Sequence, residues 1–221
     1  MVIRSRNLDH SGGFYMYRLH EDKIAKTCAH GLGGLKTYLH AVYDGRPDEY
    51  FSVGPRSSAL KFKTYHDMIQ VSGHEVSLLA QHGLEENYTR FRDNHSRVQV
   101  FMLENDTTTV AMEVPIWLQA DELQGYNELF GSDLPLTGHI DVLRVDDDVV
   151  WIWDYKPNAH REKYASTQVY FYALMLSKRS GIPLEKFRCG YFDKYYSYLF
   201  NPVKSSVARN NTLVAFTSPM A

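Results

Sequence analysis

Two runs rich in β-branched and aromatic residues, 137–145 (TGHIDVLRV) and 149–156 (VVWIWDYK), are separated only by Asp146-Asp147-Asp148. So short a connection between two such runs implies an antiparallel hairpin. A turn centred on Asp147-Asp148 sets Asp141 directly opposite Asp154, and His139 opposite Lys156. Alternate side chains of a strand share a face, so these four project together. Ile140 and Val142 on one strand, and Trp151, Trp153 and Tyr155 on the other, take the reverse face as core. A slip of one residue would invert both faces, so the turn carries the whole reading.

Directly opposed residues hold their Cβ atoms about 4.5–5.5 Å apart. Two carboxylates at that separation repel each other unless a cation neutralises them. A hard divalent ion that prefers oxygen ligands, Mg²⁺ or Mn²⁺, fits Asp141 and Asp154. Lys156, on the same face, is placed to orient an attacking water or to stabilise charge on a phosphorane-like transition state. An Asp-x-Lys tripeptide is common and means little alone. Here it ends an apolar strand and stands opposite a second aspartate.

Around this hairpin the chain reads as helices, then strands, a helix and strands again. Residues 21–43 carry helical spacing broken by Gly31, Gly33 and Gly34, and 57–71 and 74–91 read as two more helices. Residues 97–104 (RVQVFMLE) and 108–118 alternate like strands, and 119–135 read as a connection. An amphipathic helix over 160–180 meets a stop signal at Gly181-Ile182-Pro183. Residues 187–193 and 195–200 make a final strand pair. This order implies an α/β fold, a central mixed sheet flanked by helices. A helical N-terminal elaboration (1–55) would precede the core (56–221), all in one compact domain.

Composition narrows the function classes. The net charge is −2 with pI about 6.5, so nucleic acid would have to be met by a local basic patch rather than by bulk charge. Cys28 and Cys189 are the only cysteines. They supply neither a disulfide framework nor the four ligands of an iron–sulfur cluster. The N-terminus lacks a signal-like apolar run, and no stretch approaches the roughly 18 apolar residues of a membrane span. A cytoplasmic protein is expected.

The pattern Gly138-x-Ile140-Asp141, then Asp154-x-Lys156, then Gln168-x-x-x-Tyr172 on the following helix resembles the PD-(D/E)XK nuclease superfamily, and within it the RecB-type exonucleases and their CRISPR-associated relatives. The likeness covers roughly residues 110–195. It implies a restriction-endonuclease-like sandwich and Mg²⁺- or Mn²⁺-dependent hydrolysis of DNA. Asp141 and Asp154 would be metal ligands and Lys156 the catalytic lysine. Gln168 and Tyr172, four apart on one helix face, would sit beside the centre and help hold the DNA strand. RecB-type nucleases often add an upstream histidine ligand at a helix start after a glycine. His74, in Gly73-His74-Glu75, matches that best, with His66 and His82 as competitors. Glu113, ahead of the proline in MEVPIW, has a counterpart in the family and reaches the metal directly or through water.

His139 departs from the family pattern, and it either contacts substrate phosphate or only fills space. The basic run 156–164 brings Arg161 and Lys163 as candidate phosphate contacts. The functional expectation is a stand-alone deoxyribonuclease, an exonuclease or single-strand-acting nuclease of DNA repair, recombination or viral or phage DNA processing. The competing reading is a catalytically inactive nucleic-acid-binding protein on the same fold. A zinc enzyme fits less well, because no H-E-x-x-H or C-x-x-C spacing is present.

Overall fold

A computed structural model describes residues 2–10, 13–209 and 212–214; positions 210–211 and 215–221 of the expected 56–221 core lie outside it. The chain begins with a hairpin, β1 (Ile3–His10) and β2 (Gly13–His20), followed by helices α1 (Glu21–Thr27), α2 (Gly33–Asp44) and the single turn α3 (Tyr50–Val53). Short strands β3 (Thr64–Tyr65) and β4 (Ile69–Ser72) lead into α4 (Glu75–Glu86) and α5 (Asn94–Asn105). Strand β5 (Thr109–Leu118) and the short α6 (Tyr126–Phe130) precede the hairpin of β6 (Leu136–Asp146) and β7 (Val149–Tyr155). Helix α7 (Ala165–Ser180), β8 (Phe187–Phe192), β9 (Tyr196–Phe200), β10 (Ser206–Arg209) and β11 (Thr212–Val214) complete it.

Eight strands form one mixed sheet in the order β1-β2-β5-β6-β7-β8-β9-β4. Only β7 and β8 run parallel, and α7 is the crossover that a parallel pair requires. One face of the sheet is covered by α7, which is buried along most of its length and packs with Ile140, Leu143, Val145, Val150 and Ile152. The other face carries Val142, Trp153, Tyr155 and Phe192 against Val76 and Ala80 of α4 and Val98 and Met102 of α5. The architecture is the restriction-endonuclease-like α/β sandwich. Strand β10 pairs β3 and β11 in a small second sheet.

The hairpin register is the one the turn dictated: pairs run from Val142↔Trp153 to Asp146↔Val149. Asp147 (φ 47) and Asp148 (φ 58) make the turn with left-handed backbone at both central positions, which suits the right-handed twist of the strands. Beyond Val142 the pairing stops, because the Asp141 carboxylate intervenes and accepts a hydrogen bond from the Tyr155 backbone N–H (2.9 Å), so the expected Asp141–Asp154 and His139–Lys156 ladder pairs do not form. One face assignment changes as a result. Val142, Trp151, Trp153 and Tyr155 share a face as expected, but Ile140 turns to the α7 side.

Three segments differ from the local reading. Residues 97–104 are not a strand but part of α5. Val98, Val100 and Met102 imitate a two-residue period, yet Gln99 and Leu103 are buried as well. Asp93 caps the helix, its carboxylate accepting from the Ser96 N–H (2.7 Å). Residues 57–71 are not helical beyond one turn; they cross the sheet end as a strap that contributes β3 and β4. The N-terminal region is helical over α1 and α2, but β1 and β2 before them pair antiparallel and join the central sheet through β2–β5.

The turn gives a direct test of the register. Replacing Asp147-Asp148 with Asn-Gly, the pair best suited to this backbone, is expected to stabilise the protein by about 0.5–1 kcal/mol. That is a rise in Tm of about 1–4 °C for a chain of this size. A fall in Tm would contradict the turn assignment.

Candidate active site

Asp154 lies at the C-terminal end of β7, fully buried between β6 and β8. One of its oxygens, Oδ1, accepts from Gln168 Nε2 of α7 (3.1 Å), and the other, Oδ2, lies 2.7 Å from the Lys156 ammonium. Gln168 Oε1 in turn accepts from Lys156 Nζ (3.2 Å), and Gln168 Nε2 also donates to the Tyr172 hydroxyl (2.7 Å). A single amide thus holds the aspartate, the lysine and the tyrosine at once. Asp141 is fixed by the Tyr155 N–H, with His95 Nε2 at 3.9 Å from Oδ2. Glu113 occupies the step of the β5–β6 ladder opposite Asp141, at φ 53, and accepts from Gln99 Nε2 (2.7 Å). All these groups line one cleft of about 370 Å³.

Gly138 explains the first letter of the Gly-x-Ile-Asp strand. A Cβ there would overlap the Tyr172 ring and the Ser57 hydroxyl. The residue is bare so that α7 can bring Tyr172 and Gln168 onto the strand.

The electrostatics follow from crowding acids in a dry place. Burial, and then the neighbouring Asp141, push the Glu113 carboxyl up to about 8. Burial, and then Asp154, push Asp141 up to about 7. For Lys156 burial opposes the charge, but Asp154 and Asp141 outweigh it and raise its pKa, so it stays an ammonium. Burial foremost, reinforced by Asp154 and Asp141, raises the Tyr172 hydroxyl as well, which keeps it protonated.

The donor set suits a hard cation. Asp154 Oδ2 is buried, and its one close polar partner among the described residues is the Lys156 ammonium. Beside it stand two carboxylates that burial and mutual repulsion disfavour as anions. Among the described residues no three His, Cys, Asp or Glu side chains are grouped so that all could hold one metal ion. A Mg²⁺ site does not need one, since one or two carboxylates completed by water and substrate phosphate suffice.

The remaining sequence candidates fall elsewhere. His74 is not brought to the cleft. Its ring caps α4 by accepting from the Val76 N–H (3.3 Å) and packs 5.4 Å from the Trp153 ring. His66 bonds Ser205 under Phe200, and His82 is exposed beside Phe101. Arg161 and Lys163 are exposed on the β7–α7 connection and do not line the cleft. His139 lines it but is buried and stacked on Tyr15, with ring centroids 3.8 Å apart. Burial, and then His10 and Arg56, lower its pKa well below the ordinary value.

Sequence reasoning missed His95, Gln99, Arg56, Tyr15 and Phe14, all of which line the cleft. Asp93-Asn94-His95-Ser96 was a legible helix start. Reading 97–104 as a strand concealed it.

Two outcomes are expected. Both acids have folded pKa values above their unfolded ones, so without metal their contribution to stability is complete below the ordinary carboxylate range. It is lost as pH rises towards about 7 for Asp141 and about 8 for Glu113. In EDTA, Asp141→Asn should therefore melt above wild type at pH 8, and Mg²⁺ should raise the wild-type Tm more at pH 8 than at pH 5. Equal behaviour at both pH values would refute the repulsion. Separately, Gly138→Ala should cost about 1–3 kcal/mol by overpacking against Tyr172. Its melting curve checks that cost.

Comparison with known proteins agrees with this geometry. No curated protein and no solved structure matches the chain. The family model of the PD-(D/E)XK nuclease superfamily matches residues 63–207. That span exceeds half of the chain and contains Glu113, Asp141, Asp154, Lys156 and Gln168, and on it the chain belongs to the PD-(D/E)XK nuclease superfamily.

Proposed function

We propose that the protein is a metal-dependent deoxyribonuclease of the RecB type, acting on single-stranded DNA or single-stranded ends in repair, recombination or viral DNA processing. One observation carries the catalytic part: Gln168 ties Lys156 and Asp154 together beside Asp141 and Glu113 at the floor of one open cleft. We assign Asp141 and Asp154 as the metal ligands, with Glu113 and His95 completing the shell directly or through water. Bound Mg²⁺ or Mn²⁺ would neutralise charge on a phosphate oxygen and lower the pKa of a coordinated water. Lys156 then stabilises the extra negative charge of the pentacovalent phosphorus. Asp154 and Gln168 keep its ammonium aimed, and Tyr172 holds the Gln168 amide in place.

The single-strand preference rests on the cleft rim. Phe14 is 85% exposed and, with Met16, lines the same cleft as the carboxylates. An exposed aromatic face there suits stacking by an unpaired base.

We also propose a cytoplasmic setting without an iron–sulfur cluster. Cys28 and Cys189 are both free and buried. No described helix is long and apolar enough to cross a membrane. A scaffold that binds DNA without cutting it is the second reading, and the intact Asp141, Asp154 and Lys156 speak against it.

End-labelled linear and circular DNA, single- and double-stranded, should distinguish these readings. Cleavage with Mg²⁺ or Mn²⁺ is expected to stop in EDTA and to fall about 10²–10³-fold in Lys156→Ala. Double-stranded DNA cut as fast as single-stranded would overturn the strand preference. Tight binding without cleavage under either metal would establish the scaffold.

A further inference from the structure

We propose that Arg56 is the residue that grips a substrate phosphate beside the scissile one, and that Tyr15 and His139, backed by His10 and Asp48, aim its guanidinium for that task. The inference rests on the nuclease reading above and adds how that site recognises its substrate.

Arg56 is fixed at both ends. Its backbone forms a parallel bridge to Thr137, flanked by Thr137 N–H to Pro55 carbonyl (2.9 Å) and Ser57 hydroxyl to Thr137 carbonyl (3.1 Å). That strap ties the residue to the start of β6, two positions before His139. Its side chain lines the cleft with Lys156, Asp141 and Asp154, and Nη2 donates to the Tyr15 hydroxyl (2.6 Å) and to His139 Nδ1 (3.3 Å).

The proton positions then follow in order. A guanidinium only donates, so His139 Nδ1 is the bare nitrogen and the ring proton sits on Nε2. His139 Nε2 donates to His10 Nδ1 (2.8 Å), which puts the His10 proton on its own Nε2. That proton points at Asp48 Oδ1 (2.8 Å), which Arg46 Nε also approaches at 2.7 Å. Stacking of Tyr15 on His139 and of His10 on Phe51, with centroids 4.1 Å apart, locks the rings. His139 is only 3% exposed, so it serves the site through Arg56 and not by touching substrate.

The arrangement answers a charge problem. The cleft holds Asp93, Glu113, Asp141 and Asp154, while the Lys156 ammonium is engaged by Asp154. A phosphate backbone therefore needs a further cation in the cleft, and Arg56 lines it. The Tyr15 hydroxyl and His139 Nδ1 both accept from Nη2 and so set the direction of the guanidinium in the cleft. A planar guanidinium is also the side chain best matched to phosphate oxygens. Arg56, Tyr15, His10 and Asp48 all precede the span matched by the family model.

The test compares wild type, Arg56→Ala, Arg56→Lys and His139→Phe, with melting curves to confirm folding. Binding of a fluorescent single-stranded oligonucleotide is read by anisotropy in EDTA, and KM and kcat are read with Mg²⁺. Arg56→Ala should raise Kd and KM about tenfold with kcat near wild type, and should shallow the salt dependence by about one phosphate contact. Arg56→Lys should recover part of the loss. A neutral methylphosphonate at one position should weaken wild type by a similar factor and leave Arg56→Ala unaffected. His139→Phe keeps the ring stack but loses Nδ1, and should raise KM without adding to Arg56→Ala. Should His139→Phe fail to fold, Asp48→Ala at the half-exposed end of the chain should move KM the same way by less. An unchanged Kd and salt slope in Arg56→Ala, or a fall in kcat at constant KM, would overturn the proposal while leaving the nuclease reading intact. Wild type that neither binds nor cleaves DNA would end both.

Discussion

Three carboxylates, Glu113, Asp141 and Asp154, line one cleft where the central strands β5, β6 and β7 lie side by side. Bringing them together is unfavourable: burial and mutual repulsion lift Glu113 to about 8 and Asp141 to about 7. The surrounding structure supplies what makes the cluster tolerable. The Tyr155 N–H turns to Asp141, Gln99 reaches Glu113, and Gln168 and Lys156 share Asp154. The ladder itself gives way at this point. Pairing between β6 and β7 ends at Val142, and Glu113 adopts a left-handed backbone on the opposite side. Strain concentrated at one point of an otherwise regular sheet is what a functional site looks like in physical terms.

Each layer of the sandwich has a part in that arrangement. Helix α7 is among the most buried elements of the fold; its Gln168 reaches the Asp154 carboxylate, and its Tyr172 hydroxyl accepts from the Gln168 amide. Helix α5, on the other face, delivers His95 and Gln99 from its first turns. The N-terminal hairpin closes the third side with Tyr15 and the exposed Phe14. The negative floor and the positive Arg56 wall come from different parts of the chain, and only the family-matched core supplies the floor.

Much of the centre was legible because a hairpin is a local object. Asp147-Asp148 sets the register, and the register brings Asp141 and Asp154, thirteen residues apart in sequence, to the same end of the hairpin. Gly138 and the Gln168–Tyr172 spacing were also visible, since close approach and helical periodicity leave marks in sequence. The misreadings have equally physical causes. Residues 97–104 alternate apolar side chains at period two, and only their packing against both β7 and β5 shows that they wind as a helix. His74 has the local look of a ligand at a helix start. Its helix sets that end against Trp153 and, through Glu75, Arg144.

By itself, then, the sequence determined the hairpin, its register, the acidic pair with its lysine, and the helix that stops at Gly181. These depend on interactions between residues close along the chain, where turn geometry and side-chain period leave few choices. Which histidine stands by the acids, that Ile140 turns away from Val142, and that Arg56 reaches the cleft through Tyr15 and His139 were decided only in three dimensions. The side-chain contacts among them join residues 41–124 positions apart, such as Arg56 to Tyr15 and Tyr15 to His139. No local pattern encodes such pairs, because their geometry is set by how α5, the N-terminal hairpin and the 55–57 strap pack around the sheet.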